Sequence, residues 1–284
     1  MRNETTLVTG ATGKTGRRVL RQLREKGVRA RAASRSSHTR FDWSDRTTWE
    51  QALHGVSGMY VVAPDLGGAQ ASEDIAALAR LAAGAGVRRA VLLSFPHTDT
   101  PGLDLGHVRA AERALGEAGL DATIIRPRWF FQNFSEDFLR DAVLSGDVRL
   151  PAGDGQEAFV DAEDIAAVVV TALTQNGHGD GHAGQEYEVS GPRPMSFADA
   201  VADIARATGR DLRYTPLTAD AYAAEQRAHG VPEAWIQLTI GLYAEIRAGA
   251  PSSVTEDVEK VLGRPPRDFA DHARTAAARG AWTS

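Results

Sequence analysis

The chain contains no cysteine among its 284 residues. This absence excludes disulfide bonds, thiolate metal ligands and cysteine nucleophiles together. Long apolar runs are also missing, because the longest, from Ile165 to Leu173, is far too short to cross a bilayer. The polar start, Met1 to Glu4, leads within a few residues into the first predicted strand and does not fit a signal peptide. We therefore expect a cytoplasmic protein without a membrane partner.

Basic residues are not in excess either, since 32 Lys and Arg stand against 37 Asp and Glu for a net charge of −5. This balance argues against a nucleic-acid partner. A hydrophobic content of 43% and a charged content of 24% are typical of soluble globular proteins. At this length we expect one domain over residues 1–284, with room for a smaller lobe. The composition does not indicate an oligomeric state.

What the chain does contain is an alternation of strand-like and helix-like segments. Strands are predicted at Thr6–Thr9, Val28–Ala33, Gly58–Pro64, Ala90–Pro96 and Asp121–Pro127. Helices are predicted from an N-cap at Ser72, from Leu105 to Ala118, behind a cap at Asp161, behind Ser196 with Asp199, and over 218–248. This order predicts an α/β fold, a Rossmann-like doubly wound parallel sheet. In such sheets the ligand lies across the carboxyl ends of the strands.

The first predicted strand runs directly into a glycine-rich turn and then a helix. The glycines fall at Gly10, Gly13 and Gly16. A strand, spaced glycines and a helix N-terminus together form a dinucleotide pyrophosphate site, because backbone N–H groups can then approach the phosphates. A triphosphate-binding P-loop is excluded by spacing, since the position five residues before Gly13 is Val8. The alternative is a purely structural turn. The predicted cofactor-binding residues of this loop are Gly10, Thr12, Gly13, Lys14, Thr15 and Gly16.

The residues just after the second strand usually determine which nicotinamide cofactor is bound. Here the chain reads Ser34–Arg35–Ser36–Ser37, with no carboxylate before Asp42. An arginine beside hydroxyl groups suits the extra phosphate of NADP, and Lys14 would add a second positive charge. We therefore predict that Ser34 and Arg35 select NADPH over NADH; the alternative is that Arg35 is a solvated loop residue.

The ends of the later strands are expected to border the cofactor as well, following the rule for parallel sheets. The cofactor-binding residues predicted there are Ala63, Pro64, Ser94, Phe95, Pro96 and Pro127. The aromatic segment after Pro127 and the residue after Pro96 are predicted to form the pocket for a small apolar substrate, although such aromatics are as often hydrophobic packing. The predicted pocket residues are His97, Trp129, Phe130, Phe131 and Asn133, with Phe134 beside them. No metal site is expected, since His178 and His182 resemble a metal pair only superficially.

Three motifs together carry a family resemblance. They are Thr9–Gly16, Arg126–Pro127 with Phe130 and Asn133–Phe134, and Phe159–Ala166. With them, nearly the whole chain resembles the NmrA-like atypical short-chain dehydrogenases/reductases, in particular the branch of the festuclavine and agroclavine dehydrogenases. The resemblance implies a Rossmann domain and a small, mostly helical C-terminal lobe that closes over the nicotinamide. We expect this lobe to come mainly from residues 130–155 and 190–284.

The chain departs from the wider short-chain dehydrogenase family at its proton donor. The usual Tyr-x-x-x-Lys pair would fall on the helix after the Ser94 strand, where this chain has His107 and Ala111. Ketone reduction by the tyrosine route is therefore not expected. His107 and Ser94 are the predicted catalytic residues, since an imidazole titrates near the working pH. The alternative for His107 is a capping or surface histidine.

A site without that pair suits acceptors that need no strong proton donor. The sequence therefore predicts an NADPH-dependent oxidoreductase that reduces an imine, an iminium ion or an activated C=C bond of a small apolar metabolite. Two other hypotheses stay open. One is a redox sensor that binds NADP(H) without catalysis, and the other is a cyclase or isomerase with a retained nucleotide site.

Overall fold

The computed structural model describes residues 5–96, 105–175, 181–249 and 253–283. The strands of these ranges are β1 (Thr5–Val8), β2 (Arg29–Ser34), β3 (Thr39–Arg40), β4 (Val56–Val61), β5 (Arg89–Leu93), β6 (Asp121–Pro127), β7 (Asp147–Leu150), β8 (Gln156–Glu157), β9 (Glu186–Val189), β10 (Met195–Ser196) and β11 (Arg213–Pro216). The helices are α1 (Lys14–Glu25), α2 (Trp49–Leu53), α3 (Ala69–Gly84), α4 (Leu105–Glu117), α5 (Asn133–Glu136), α6 (Arg140–Ser145), α7 (Ala162–Thr174), α8 (Phe197–Thr208), α9 (Ala219–Ala228), α10 (Glu233–Arg247), α11 (Asp257–Leu262) and α12 (Phe269–Ala278).

The main sheet has seven strands in the order β3-β2-β1-β4-β5-β6-β9. Every neighbouring pair in it is parallel. The Rossmann-like α/β fold predicted from the alternation of strands and helices is therefore confirmed. The strand order reverses between β1 and β4, and a crevice at such a point, outside the carboxyl ends of the strands, is where doubly wound sheets bind ligands.

Helices cover both faces of this sheet and bury two separate apolar layers. On one face α3 packs against α2 and α4, and its layer includes Trp49, Ile75 and Leu115. On the other face α7 packs against α1 and α11, and its layer includes Val19 and Ile165. Parallel sheets need this cover on both sides because their strands are apolar on both faces.

A third apolar cluster lies outside the sheet, mainly in the segments predicted to form the smaller lobe, although Phe159 and β8 fall outside those segments. It is built around aromatic side chains in edge-to-face contact, among them Phe134, Phe159, Phe197 and Tyr243. Two small two-stranded sheets, β11 with β7 and β10 with β8, and the packed pair α8 and α12 complete this part. Helix α11 lies within residues 190–284, which were predicted to form the smaller lobe. It packs on α7 and β9, however, and therefore covers the main sheet.

Two of the predicted helices differ from the structure. Helix α3 begins at Ala69 behind Gly68, and Ser72, predicted as its N-cap, lies inside the helix and donates a hydrogen bond to the carbonyl of Ala69. The region 218–248 forms two helices, α9 and α10, because Gly230 has a positive φ and Pro232 follows it. The predicted Ser196–Asp199 capping box is confirmed.

No helix in the described part of the chain has the length and apolar character needed to span a membrane.

Candidate functional site

The glycine loop joins β1 to α1 at the crevice of the sheet. Gly10 has a φ of +58°, and its carbonyl oxygen accepts a hydrogen bond from the N–H of Gly13 at 2.9 Å. Gly16 packs directly on this carbonyl, and a Cβ atom at position 16 would overlap it. The first and third glycines are therefore required by backbone conformation and close approach respectively.

The N-terminus of α1 is open at this loop. Its N-cap is Gly13, and none of the described side chains caps it. Thr12 is exposed beside it, whereas the hydroxyl of Thr15 is buried and bonded to Tyr60 Oη at 3.0 Å. Uncapped N–H groups, the positive helix end and a surface without side chains fit the pyrophosphate of a dinucleotide. The loop thus has the form that a nicotinamide cofactor needs.

The end of β2 lies next to the glycine loop, since the N–H of Ala11 donates to the carbonyl of Ala33 at 3.3 Å. Ser34 Oγ lies 2.7 Å from Ser37 Oγ and accepts the N–H of Ser37 at 3.0 Å. Arg35 is exposed beside this turn. A cation and a group of hydroxyls therefore stand where the cofactor ribose is expected.

A cavity of about 440 Å³ continues from the loop along the carboxyl ends of β4, β5 and β6, and α10 borders its far side. It brings together most of the strand-end and aromatic residues predicted from the sequence, namely Lys14, Ala63, Pro64, Ser94, Phe95, Pro96, Pro127, Trp129, Phe130 and Asn133. Twelve others that line it were not among the predicted site residues, namely Val62, Asp65, Leu66, Gly67, Leu93, Arg128, Glu157, Trp235, Leu238, Leu242, Glu245 and Ile246. Its apolar walls, few polar groups and volume are those of a small-molecule site.

A larger cleft of about 960 Å³ lies between α1, α7 and α12. Its walls carry paired charges, such as Arg21 with Glu163, and it does not include the carboxyl ends of the strands. We therefore place the candidate site at the smaller, apolar cavity.

Three predicted residues need separate mention. Phe131, predicted in the pocket, is buried against Phe269 in the third apolar cluster and is not among the described residues of the cavity wall. His97 lies outside the described residues. His107 is half-buried on the first turn of α4 and likewise does not belong to the described wall.

Lys14 extends toward the cavity side of the loop. Its ammonium group donates to Asn133 Oδ1 at 2.9 Å, pairs with Asp137, and lies 5.5 Å from the ring centre of Phe130. The lysine thus connects the glycine loop to the aromatic segment, and it is held there by a carboxylate of that segment.

Ser94 belongs to a buried network of charges at the end of β5. Its hydroxyl donates to Glu112 Oε1 at 2.6 Å, and Arg126 binds the same carboxylate through Nε at 2.9 Å and a second nitrogen at 2.7 Å. Burial alone would lower the pKa of Arg126, but the bonds and charges of Glu112 and Glu186 raise it overall. The arginine therefore pairs with the middle of α4, not with a helix terminus. The hydroxyl proton of Ser94 is engaged by the Glu112 carboxylate.

Glu157 is the residue of the site that sequence reasoning missed. It is the last residue of β8 and only 1% exposed, and its Oε1 atom has no hydrogen-bond partner among the described residues. Burial raises the pKa of Glu157 to about 8, against the lowering effects of the Arg128 charge and of a hydrogen bond from the N–H of Ala158. The signal for burial of Glu157 that the sequence offers is its position directly before the apolar run Ala158–Val160.

The fold and the glycine loop define a dinucleotide-binding protein of Rossmann type. In agreement, the sequence model of the NAD(P)H-binding family matches residues 10–176, more than half of the chain. The chain therefore belongs to this family, and it is an NAD(P)H-dependent oxidoreductase.

Curated relatives extend the similarity to almost the full length. The (4-alkanoyl-5-oxo-2,5-dihydrofuran-3-yl)methyl phosphate reductase of Streptomyces griseus is 34% identical, over 93% of this chain and 95% of the relative. The NAD(P)H azoreductase of Xenophilus azovorans is 33% identical over 96% and 98%. Agroclavine dehydrogenase of Claviceps fusiformis is 29% identical over 94% and 95%. The resemblance to the clavine dehydrogenase branch is thus confirmed at the level of the family.

Solved structures show the same fold. The NADPH-dependent quinone oxidoreductase of Escherichia coli, solved with NADPH, has a TM-score of 0.78 at 22% identity and covers 95% of this chain and 99% of that chain. The negative transcriptional regulator NmrA, solved with NAD, has a TM-score of 0.73 at 16% identity and covers 99% and 98%. At these identities the likeness concerns the fold alone.

The close approach in the glycine loop gives a first prediction. Gly16→Ala should lower the free energy of unfolding by about 1–3 kcal/mol, because the added methyl overlaps the carbonyl of Gly10 and the helix must shift. Urea unfolding with and without NADPH measures both the loss and the weakened binding. Gly116→Ala in α4, where a Cβ meets nothing within 4 Å, is the matched control and should be neutral or stabilising. Equal stability of Gly16→Ala and the control would contradict the packing argument.

The raised pKa of Glu157 gives a second prediction. Between its ordinary value of 4.5 and about 8 the folded protein retains a proton on Glu157 that the unfolded chain releases. The free energy of unfolding must then fall as pH rises through this window, by at most about 1.4 kcal/mol per pH unit from this group. Glu157→Gln removes that part of the slope, so the variant should gain stability relative to the wild type as pH rises.

Urea unfolding at intervals across the same window measures this difference. Glu225→Gln, which removes a half-exposed carboxylate paired with Arg149 on the lobe surface, controls for the substitution itself. Parallel stability curves for the wild type and Glu157→Gln would show that the carboxyl ionises in the folded state as it does in the unfolded chain.

Proposed function

We propose that the protein is an NADPH-dependent reductase of a small apolar acceptor, whose reducible bond is an activated C=C bond or an imine or iminium C=N bond. The observation that carries the proposal is the apolar cavity that continues from the glycine loop along the strand ends. A nicotinamide bound to that loop supplies a hydride, and the chain's own residues position the acceptor and exclude water from it. Trp129 and Phe130 offer flat apolar surface for this purpose, and Trp235 of α10 stands opposite.

The acceptor class follows from the proton donors available. Hydride addition to a ketone leaves an alkoxide that needs a donor at oxygen, and the Tyr-x-x-x-Lys pair that supplies one elsewhere is replaced by His107 and Ala111. An iminium ion is neutralised by the hydride itself. An activated alkene delivers the charge to a carbonyl oxygen, where fixed hydrogen-bond donors can hold it.

The curated relatives support these acceptor classes but do not identify a single acceptor. The dihydrofuranone named for the Streptomyces griseus reductase contains a ring C=C bond conjugated to carbonyl groups. The names of agroclavine dehydrogenase and of the azoreductase indicate other substrates. A cavity lined by aromatic side chains also favours a substrate site over the sensor role of a regulator such as NmrA.

The preference for NADPH rests on the turn after β2. Arg35 and the hydroxyls of Ser34, Ser36 and Ser37 can bind the additional phosphate, and the segment offers no carboxylate to the ribose before Asp42. Lys14 is engaged with Asp137 on the other side of the loop. We therefore assign the phosphate to Arg35 rather than to Lys14.

The acceptor class can be tested with a matched pair of small molecules. With NADPH, kcat/KM for 2-cyclohexenone should exceed that for cyclohexanone at least about 100-fold. The saturated ketone needs a positioned acid at its oxygen, and such an acid contributes a rate factor of about this size. N-methyl-3,4-dihydroisoquinolinium should also be reduced. Nucleotide oxidation and product analysis measure all three. Equal reduction of the saturated ketone would contradict the proposed acceptor class, and reduction of none of the three would contradict the proposed function.

The cofactor preference can be tested at Arg35. Arg35→Ala should weaken NADPH binding by roughly 10- to 100-fold, the contribution of a charge-assisted hydrogen bond, and leave NADH binding unchanged. Parallel calorimetric titrations with both nucleotides measure the two affinities. Arg24→Ala, at the opposite end of α1, removes the same charge away from the loop and serves as the control. Equal loss for both nucleotides in Arg35→Ala would refute the phosphate assignment.

A further inference from the structure

Two buried polar atoms on the cavity wall lack hydrogen-bond partners among the described residues. They are Oε1 of Glu157 and Nε of Arg128, and their residues are 1% and 8% exposed. Buried polar groups without partners are uncommon because each costs free energy to desolvate. An acceptor and a donor left unsatisfied on one cavity wall point to a ligand that would satisfy them.

Both side chains are held by the surrounding backbone. Arg128 follows β6, its N–H donates to the carbonyl of Val189 at 2.9 Å, and its terminal nitrogen reaches Ser253 Oγ at 3.3 Å. The same terminal nitrogen lies 3.4 Å from Glu188 Oε2, so the end of the guanidinium group has partners while Nε has none among the described residues.

On strand β8, Glu157 pairs with Met195 of β10. Gly191 packs on the carbonyl of Phe159 so closely that a side chain at 191 would overlap it. The segment that carries the Glu157 carboxyl is therefore fixed in place, as a catalytic group requires.

Burial raises the pKa of Glu157 and so favours its protonated form near neutral pH, against the charge of Arg128. The charged groups that face the cavity are Arg128, Lys14, Asp65 and Glu245. Lys14 is engaged by Asp137 and Asn133, so Arg128 is the cation that acts on Glu157, and burial outweighs it in setting the pKa. A buried neutral carboxyl is a hydrogen-bond donor and an acid.

We propose that Glu157 delivers the proton to carbon, and that Nε–H of Arg128 binds the carbonyl oxygen, when the acceptor is a C=C bond conjugated to a carbonyl. This inference rests on the proposed function. The hydride from the reduced nicotinamide adds to the β-carbon, and the π-electron pair moves to the α-carbon and the carbonyl oxygen. The α-carbon then takes the carboxyl proton of Glu157, which is replaced from solvent. The C=C bond is reduced, the nicotinamide is oxidised, and one solvent proton is consumed.

Other candidate donors fit less well. The hydroxyl of Ser94 already donates to Glu112, and the ammonium group of Lys14 is paired. His107 does not contribute to the described cavity wall. Glu157 combines burial on that wall with a proton retained near neutral pH.

The test compares two acceptors in the wild type and in Glu157→Gln, which keeps the shape of the side chain. The alkene is 2-methyl-2-cyclohexenone, whose methyl-bearing carbon is the α-carbon, and the iminium is N-methyl-3,4-dihydroisoquinolinium, which takes a hydride and needs no proton. The ratio of the alkene rate to the iminium rate should fall about 100-fold in Glu157→Gln, the contribution of a positioned general acid. Calorimetry should give the same NADPH affinity for both proteins.

The stereochemistry of the product provides a readout that is independent of rate. In D2O, the wild type should place deuterium on one face of the methyl-bearing carbon and give one enantiomer. The residual product of Glu157→Gln should approach a racemate, because water then protonates from either side. A merely structural role of Glu157 would lower both rates and leave the product enantiomer unchanged.

The outcomes separate the two proposals. An unchanged rate ratio and enantiomer in Glu157→Gln overturn the role of Glu157 while the function stands. Loss of alkene reduction in His107→Phe together with full activity in Glu157→Gln returns the role to His107. If the wild type reduces neither acceptor, the proposed function fails and this inference fails with it.

Arg128 is tested by the conservative variant Arg128→Lys, which keeps the positive charge and removes Nε. The alkene rate should fall about 100-fold relative to the iminium rate, as for the loss of one donor to a developing oxyanion. The product should remain a single enantiomer, since Glu157 is intact. An unchanged ratio would show that the guanidinium group does not bind the carbonyl oxygen.

Discussion

The close contact between α1 and the glycine loop sets the geometry on which the rest of the site depends. Gly16 lies on the carbonyl of Gly10, so the first turn of the helix meets the end of β1 without a side chain between them. This contact leaves the uncapped N–H groups of α1 at the point where the strand order reverses. The nucleotide phosphates, the turn at Arg35 and the apolar cavity are all positioned relative to that one approach of two backbones.

Two sets of buried polar groups lie at the cavity, one with hydrogen-bond partners and one with atoms that lack partners among the described residues. Ser94, Glu112 and Arg126 form a hydrogen-bonded network at the end of β5, and Arg126 extends it to Glu186. Glu157 and Arg128 lie on the same cavity wall with unmatched atoms. A completed network stabilises a fold, and an incomplete one in a cleft is available for chemistry. That contrast is the basis on which we propose a chemical role for Glu157 and Arg128.

Local pattern predicted much of this molecule. Strand and helix periodicity, with the glycine spacing, indicated the sheet and the strand ends that border the cavity, because both depend on neighbours in sequence. Phe131 was misplaced because adjacent aromatics turn to different sides, and only tertiary packing shows that Phe130 lines the cavity while Phe131 is buried behind it. Glu157 could not be identified because its burial depends on β10 and on the segments around it, which are distant in sequence.

Three cations of α1 also reach the segment after β6. Lys14 pairs with Asp137, and Arg17 and Arg18 both pair with Glu136, more than one hundred residues away. Apart from Arg18 these side chains are partly exposed, so dissolved ions compete for them. The helix whose N-terminus is the candidate phosphate site and the segment that lines the cavity are therefore joined by ion pairs. High salt should weaken these ion pairs while the apolar clusters stay intact. The mouth of the cavity should then widen as the ionic strength rises and narrow as it falls.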